Sequence, residues 1–312
     1  MNKKNNSEIT IITAYFDIGR GKYSNQYTRG NNKYIEYFKF WARIQNNLVI
    51  YTQKEFEKEI YEIREKFGLK NKTKVIVVDN IYNILPEMYQ KMKEIEQDKI
   101  FFRNYRYIKD CPENKADYCY IMFLKTWCML DAAKKGYAKS KYLAWLDFGF
   151  NHGGKYFIDE LDFDFLWDYE FENKIYISGF NKNDNKPIFQ IVQSGEVFVQ
   201  GTPFIVPINH IDEFYTLMLD SMNSLLDVGF MDDDQTVMLM AYRKNKKIFK
   251  YDESSEWFSL IKNYGASHLK TMSTKSKKQN IYDKILYRYR VHKRNYKYLK
   301  GIKKIFMKDY LD

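Results

Sequence analysis

Short, continuous apolar runs separated by helix-length segments constrain this chain more than any other feature. Ile9 to Tyr15, Asn47 to Tyr51 and Thr73 to Asp79 are rich in β-branched residues and bounded by polar turns, which predicts buried strands. Between them the period becomes helical. Tyr34, Phe38 and Trp41 repeat within about 34–44, and Phe56, Ile60, Ile63 and Phe67 share a face further on. Thr52 and Glu55 read as a capping box opening that second helix. A helix through Met88 to Ile95 follows, then an aromatic and basic loop around Arg103 to Arg106, then a helix near Tyr118 to Lys134. Strands and helices alternating at this spacing imply right-handed β-α-β units and a mostly parallel sheet. Such a sheet takes its ligand at the carboxyl ends of its strands.

Two of those ends are rich in functional groups: "TAYFDIGRG" after the first strand and "YLAWLDFGFNHGG" at Tyr142 to Gly154. In the second, an apolar run stops on Asp147 and passes into a glycine loop carrying His152. An acid there can cap the turn after its strand, or it can hold a divalent cation that neutralises a diphosphate. Sugar-nucleotide glycosyltransferases of the GT-A type do the latter with Asp-x-Asp, because the departing nucleoside diphosphate gains charge as the glycosidic bond breaks. Asp147 stands at the first position of such a pair and Gly149 at the second, with His152 the residue that could complete a metal site. A literal Asp-x-Asp at Asp162 and Asp164 has no apolar strand leading into it and ranks below Asp147.

Beyond Gly154 the pattern changes. "KIYISGF", "IFQIV" and "EVFVQG" read as short strands, some antiparallel, and the run Glu196 to Pro207 as a strand broken at Gly201. That glycine marks a bulge or a close approach of backbone to ligand. A helix carrying Ile211, Phe214, Tyr215, Met218, Met222 and Leu225 on one face comes next, and "DDDQTVMLMAY" opens another. One Asp suffices to cap a helix. Three at Asp232, Asp233 and Asp234, followed by Gln235, also suit a general base or ligands for sugar hydroxyls.

Taken in order, "ITIITAYFDIGRG", "KTWCMLDAA", "YLAWLDFGF", "FVQGTPF" and "DDDQTVMLMAYRKN" resemble the HtrL/YibB (WlaTC) family of bacterial proteins over about residues 8 to 255. That family is found with genes for lipopolysaccharide, lipooligosaccharide and capsule synthesis and is regarded as glycosyltransferase-like. The layout is also similar to that of retaining GT-A galactosyltransferases. The resemblance implies a GT-A-like, Rossmann-type α/β fold, with a mixed, mostly parallel sheet flanked by helices. It implies a nucleotide-sugar donor, UDP-linked, and a glycan or lipid-linked acceptor. Thr13, Ala14 and Tyr15 would line the base and ribose, with Asp17 and Arg20 in the same loop and Arg20 a candidate for phosphate. Lys125 would meet the sugar or diphosphate and Asp147 the diphosphate, through Mn or Mg with His152. Gly201 would face the donor sugar, and Asp233, Asp234 and Gln235 the reaction centre. For Arg20 and Lys125 the alternative is a solvated surface charge.

The charge is unevenly placed. Of 51 Lys and Arg and 40 Asp and Glu, 14 basic and 3 acidic residues fall at 270–312, leaving 37 of each elsewhere. The expected organisation is therefore a neutral domain at 1–264 and a basic helical tail at 265–312. In the tail Ile281, Ile285, Tyr289, Tyr296, Leu299, Ile302 and Phe306 recur at near-helical spacing among the cations. Such a segment can lie on an anionic membrane, pack on its own domain, or grip nucleic acid, in that order of preference. No apolar run approaches the roughly 18 residues of a membrane span. The three cysteines have no metal-ligand spacing, and their odd number argues against a disulfide framework. The expected location is the cytoplasm, peripheral on the inner face of the membrane. An inactive sugar-nucleotide binder and a nucleic-acid binder acting through the tail are the alternatives.

Overall fold

The computed structural model describes residues 9–23, 27–98, 111–180, 185–254 and 256–271. Within them seven strands form one sheet: β1 (Ile9–Tyr15), β2 (Leu48–Thr52), β3 (Thr73–Val77), β4 (Tyr142–Trp145), β5 (Ile175–Gly179), β6 (Phe204–Pro207) and β7 (Phe249–Glu253). The order is β3-β2-β1-β4-β6-β5-β7, and every pairing is parallel except the two made by β6. The expected α/β class, with a mixed and mostly parallel sheet flanked by helices, is the one formed.

The helices described are α1 (Asn31–Trp41), α2 (Lys54–Glu65), α3 (Pro86–Gln97), α4 (Ala116–Lys134), α5 (Ile188–Ser194), α6 (Ile211–Asp227), α7 (Asp234–Lys244) and α8 (Ser259–Asn263). They cover both faces of the sheet, which is why the strands read as unbroken apolar runs. Ile12, Val49, Leu143, Trp145, Ile177 and Phe204 point to one core, shared with α3, α4, α6 and α7. Ile11, Tyr15, Ile50, Ala144, Tyr176 and Ile205 point to the other, shared with α1, α2 and the aromatic segment Phe150 to Phe171. Strand period two sorts neighbours to opposite faces. α4 is buried on nearly every side, and Lys125 lies among its buried residues.

Four expectations change. The capping box does not form: Thr52 ends β2 and its hydroxyl donates to the Tyr15 carbonyl (2.8 Å), while Gln53 takes the cap position and its side chain accepts from the Asp17 N–H (2.8 Å). "IFQIV" is the helix α5, opened after Pro187 and closed by Gly195 at φ 63°, the Pro-before, Gly-after asymmetry of helices. "EVFVQG" contributes only a bridge between Val199 and Gly179, and the strand proper starts at Phe204. The body also extends past residue 264, to Thr271. Ala266 and Leu269 are buried, the Ile158 N–H donates to the Lys270 carbonyl (3.0 Å), and Phe157 pairs with Thr271. The loop at Arg103 to Arg106 and the tail beyond Thr271 lie outside the described residues.

Candidate active site

Because β6 runs against β4, with Trp145 opposite Phe204, the residues entering β6 lie beside those leaving β4. The Asp147 N–H donates to the Thr202 hydroxyl (3.0 Å) and closes this junction. Asp147 has the parity of Leu143 and Trp145, so its side chain faces α4. There it meets Lys125, whose Nζ stands 2.8 Å from Asp147 Oδ1 and 2.8 Å from Asp234 Oδ2. The same ammonium donates to the Gly201 carbonyl at 3.2 Å. An ammonium has three donors, and three oxygens surround this one. Residues far apart in sequence thus converge on one buried cation.

This cluster explains two sequence features. The strand ends on a carboxylate because a lysine buried to 4% exposure needs anionic partners. Gly201 is glycine because a Cβ there would collide with the Asp234 carboxylate. Its open side is occupied by the protein's own acid. Burial by itself would lower the Lys125 pKa, but Asp147 and Asp234 outweigh it and hold the ammonium above its ordinary value. Burial pushes Asp234 up to about 6, against the pull of Lys125. The Asp147 Oδ1 also accepts from Trp145 Nε1 (2.7 Å). Its side chain remains 34% exposed toward the cleft.

The three acids at the start of α7 have separate duties. Asp233 is the cap, accepting from the Gln235 N–H (3.0 Å). Burial holds its carboxyl well above the usual range, with Asp232 and Asp234 adding to the effect. Asp232 Oδ1 accepts from the Asp233 N–H (3.0 Å). Only Asp234 and Gln235 of the expected reaction-centre group line the cleft, and Asp233 stands behind them.

The cleft itself, about 330 Å³, opens at the ends of β1 and β4. Ala14, Tyr15, Asp17, Arg20, Lys125, Asp147, His152 and Gly201 of the expected residues line it, and Thr13 does not. Thr13 is fully buried, with its hydroxyl lacking a hydrogen-bond partner. Tyr15 lines the cleft mainly as a packed wall. Its ring stacks on Phe148 (centroids 4.9 Å), and its hydroxyl donates to Asn31 Oδ1 (2.7 Å). Asp17 folds the loop: it accepts from the Gly19 N–H (2.8 Å) and from Asn31 Nδ2 (2.9 Å), with Gly19 at φ 72° making the turn.

Arg20 differs from these. Its guanidinium lies 5.1 Å from the Tyr118 ring centroid and donates to the Tyr34 hydroxyl (2.7 Å). Its Nε is buried with no partner. Arg29 lines the same cleft and was not among the sequence candidates. Neither arginine forms an ion pair among the described residues. The signal that could have found Arg29 is the repeated Arg-Gly in one loop, "GRG" and "TRG". Trp257 and Phe258 close the far wall and were likewise missed, since no local motif marks them.

The donor set does not fit the expected divalent ion at Asp147 and His152. Among the described residues no three His, Cys, Asp or Glu side chains group so as to hold a metal. A second acid at Gly149 would be crowded, because a Cβ there falls 3.1 Å from Tyr34 Cε1. His152 sits among rings instead, with Tyr37 at 5.6 Å and Phe258 at 6.1 Å. Burial lowers its pKa to about 4, and the positive charges of Arg29 and Lys155 add to that. Asn151 and His152 both adopt left-handed backbone, φ 61° and 48°. Asn151 holds this turn, donating to the Phe157 carbonyl (2.8 Å) and accepting from the Tyr156 and Phe157 N–H groups (3.0 and 2.8 Å). Asp162 and Asp164 lie elsewhere, bound to Lys270 and Gln45.

A family model described as "Bacterial protein of unknown function (HtrL_YibB)" matches residues 7–266. "Protein HtrL" of Escherichia coli (strain K12) is 27% identical over 284 residues, covering 84% of this chain and 94% of that protein. Among solved structures, mouse xyloside xylosyltransferase 1 in its apo form covers 78% of this chain and 84% of its own, at 10% identity and a TM-score of 0.39. The 4-diphosphocytidyl-2C-methyl-D-erythritol synthase of Anaerococcus prevotii DSM 20548 covers 87% and 92%, at 13% identity and a TM-score of 0.39. At such scores neither likeness bears on what this chain binds.

Proposed function

The chain belongs to the HtrL_YibB family, and from its cleft we propose that it is a glycosyltransferase moving a sugar from a nucleoside diphosphate to a bacterial surface glycan. The observation that carries this reading is the pairing of opposite needs in one cleft. Arg20 and Arg29 offer guanidiniums with no carboxylate partner among the described residues, and Asp147 offers a partly exposed carboxylate paired with Lys125. A diphosphate suits the first group, since planar guanidiniums bind phosphate oxygens in pairs. Sugar hydroxyls suit the second, as donors to a fixed acceptor. In transfer, the bond from the anomeric carbon to the diphosphate oxygen breaks and the electron pair stays on the diphosphate. The acceptor hydroxyl oxygen bonds to that carbon, and its proton passes to the departing diphosphate or to water. Arginines already aimed at the diphosphate would stabilise the charge that develops there. The cleft's position at the carboxyl ends of β1 and β4 agrees with where such sheets bind ligands.

UDP-sugars are the donors to try first. The acceptor in this reading is a growing lipopolysaccharide, lipooligosaccharide or capsule chain, lipid-linked at the membrane. The basic segment beyond Thr271 would bring the enzyme to that anionic surface. Among the described residues no helix is long and apolar enough to cross a membrane. The test is a thermal-shift screen of UDP-, GDP- and CMP-sugars. A bound donor at 100-fold its Kd should stabilise the fold by about 2.7 kcal/mol, and Arg20→Ala should abolish that shift. No shift with any nucleotide sugar would end this reading.

A further inference from the structure

If the cleft binds a nucleoside diphosphate as proposed above, its two halves must divide the work of holding charge. The floor contains two carboxylates, Asp147 and Asp234, that face one point from different elements. In an open site this is where a divalent ion would be expected, with the diphosphate completing its coordination. Here the point is filled by Lys125 Nζ, 2.8 Å from each acid. The third ammonium donor is fixed on the Gly201 carbonyl at 3.2 Å. The glycine's missing Cβ lets Asp234 reach this position, so the backbone itself is shaped around the lysine pair. A divalent ion would have to displace a buried ammonium and leave it uncompensated, which is strongly unfavourable. Lys125 cannot serve the phosphates either without giving up one of its three partners.

Charge neutralisation must then come from the other half of the cleft. Arg20 is held by the Tyr34 hydroxyl and the Tyr118 ring, and one N–H is left buried without an acceptor. Arg29 adds a second guanidinium lining the same cleft. We infer that this enzyme binds its donor without a divalent cation: Arg20 and Arg29 neutralise the diphosphate, and Lys125 is a positioning residue that occupies the metal's place and orients Asp147 and Asp234. Asp147 keeps an oxygen toward the cleft for the sugar.

UDP and GDP are titrated calorimetrically into the full-length protein, in EDTA and again in Mn²⁺. The expected result is a Kd for one of them that agrees within twofold between the two buffers. Binding only with Mn²⁺, or at least tenfold tighter with it, overturns the inference and leaves the glycosyltransferase reading standing. Binding of neither nucleotide in either buffer overturns both. Arg29→Ala should weaken the diphosphate at least tenfold while binding of the bare nucleoside stays within twofold. An equal loss for both would show that the arginine does not read charge. Mn²⁺ itself, followed by electron paramagnetic resonance without nucleotide, should bind Lys125→Ala and not the parent. Mn²⁺ held by the parent and released by Asp147→Asn overturns the inference whether or not the lysine variant folds.

Discussion

Asp234 has two neighbours that decide what substitutions there and opposite it will do: Lys125 at 2.8 Å and the open side of Gly201. Asp234→Ala strands part of a buried charge and should cost about 3–5 kcal/mol in urea unfolding. Gly201→Ala should also destabilise, by about 1–3 kcal/mol, because its methyl enters the carboxylate. Together they should be much less than additive, since the first substitution makes room for the second. Strict additivity in a double-mutant cycle would refute the contact. His152 supplies a pH prediction. Its folded pKa is depressed, to about 4 against an ordinary 6.5, by burial first. Between those values the unfolded chain holds a proton that the folded one lacks, so stability is lost as pH falls through that window. His152→Asn, which tolerates the left-handed backbone, should remove that share of the acid loss. An unchanged stability profile from pH 7 to 4 would count against it. Much of this site was legible before the structure. Arg20, Asp147, Gly201, Asp234 and Gln235 stand at strand ends and a helix start, Lys125 is marked only by the family resemblance, and all six line one cleft. What could not be read was who pairs with whom. A lysine mid-helix among apolar residues gives no sign that two acids will enclose it.

At the scale of elements, period and turn chemistry identified β1 to β5 and the long helices, because strands buried on both faces are conspicuous as apolar runs. The misreadings fall where local pattern is shared by two structures. "IFQIV" is as apolar and β-branched as a strand, yet Pro187 and Gly195 frame it as a single short helix. Thr52 satisfied the capping rule in sequence while its hydroxyl was needed by the neighbouring strand. Strand β7 offers only "FKYDE", half-exposed at the sheet edge, and carries almost no apolar signal. One inter-element tie has no counterpart in sequence pattern at all. Arg64 of α2 is fully buried, donating to Thr73 Oγ1 (2.8 Å) and to the carbonyls of Ala42, Ile44 and Asn46 (2.6, 2.6 and 3.0 Å). It fastens α2 to the turn between α1 and β2. Arg64→Met keeps the bulk and leaves those carbonyls unpaired, so a loss of about 3 kcal/mol or more is expected at an unchanged denaturant slope. A loss below about 1 kcal/mol would show that water replaces the guanidinium.

Over the whole molecule, the boundary between body and tail decides which truncations are tolerated. A chain ending at Thr271 should melt as one cooperative unit, close to the full-length protein, and still bind nucleotide. A chain ending at Tyr264 loses buried Ala266 and Leu269 together with the Phe157–Thr271 pairing. It should be destabilised by several kcal/mol, since each buried side chain contributes about 1.5–3 kcal/mol when as large as leucine. Equal melting temperatures for the two would return the boundary to 264. The full-length protein should sediment with anionic vesicles and release as salt rises, while the 271-residue body stays in solution. Preference for nucleic acid over vesicles in direct competition would overturn the membrane assignment. The lysine on the cleft floor has one more consequence, for the order of assembly. The lysine comes from α4 and its partners from the exit of β4, the entry to β6 and the start of α7, so 109 residues separate the earliest contributor from the latest. No nascent or half-folded chain that stops short of α7 can possess this floor. For the donor proposed above, affinity should return on refolding with the last kinetic phase and never before it.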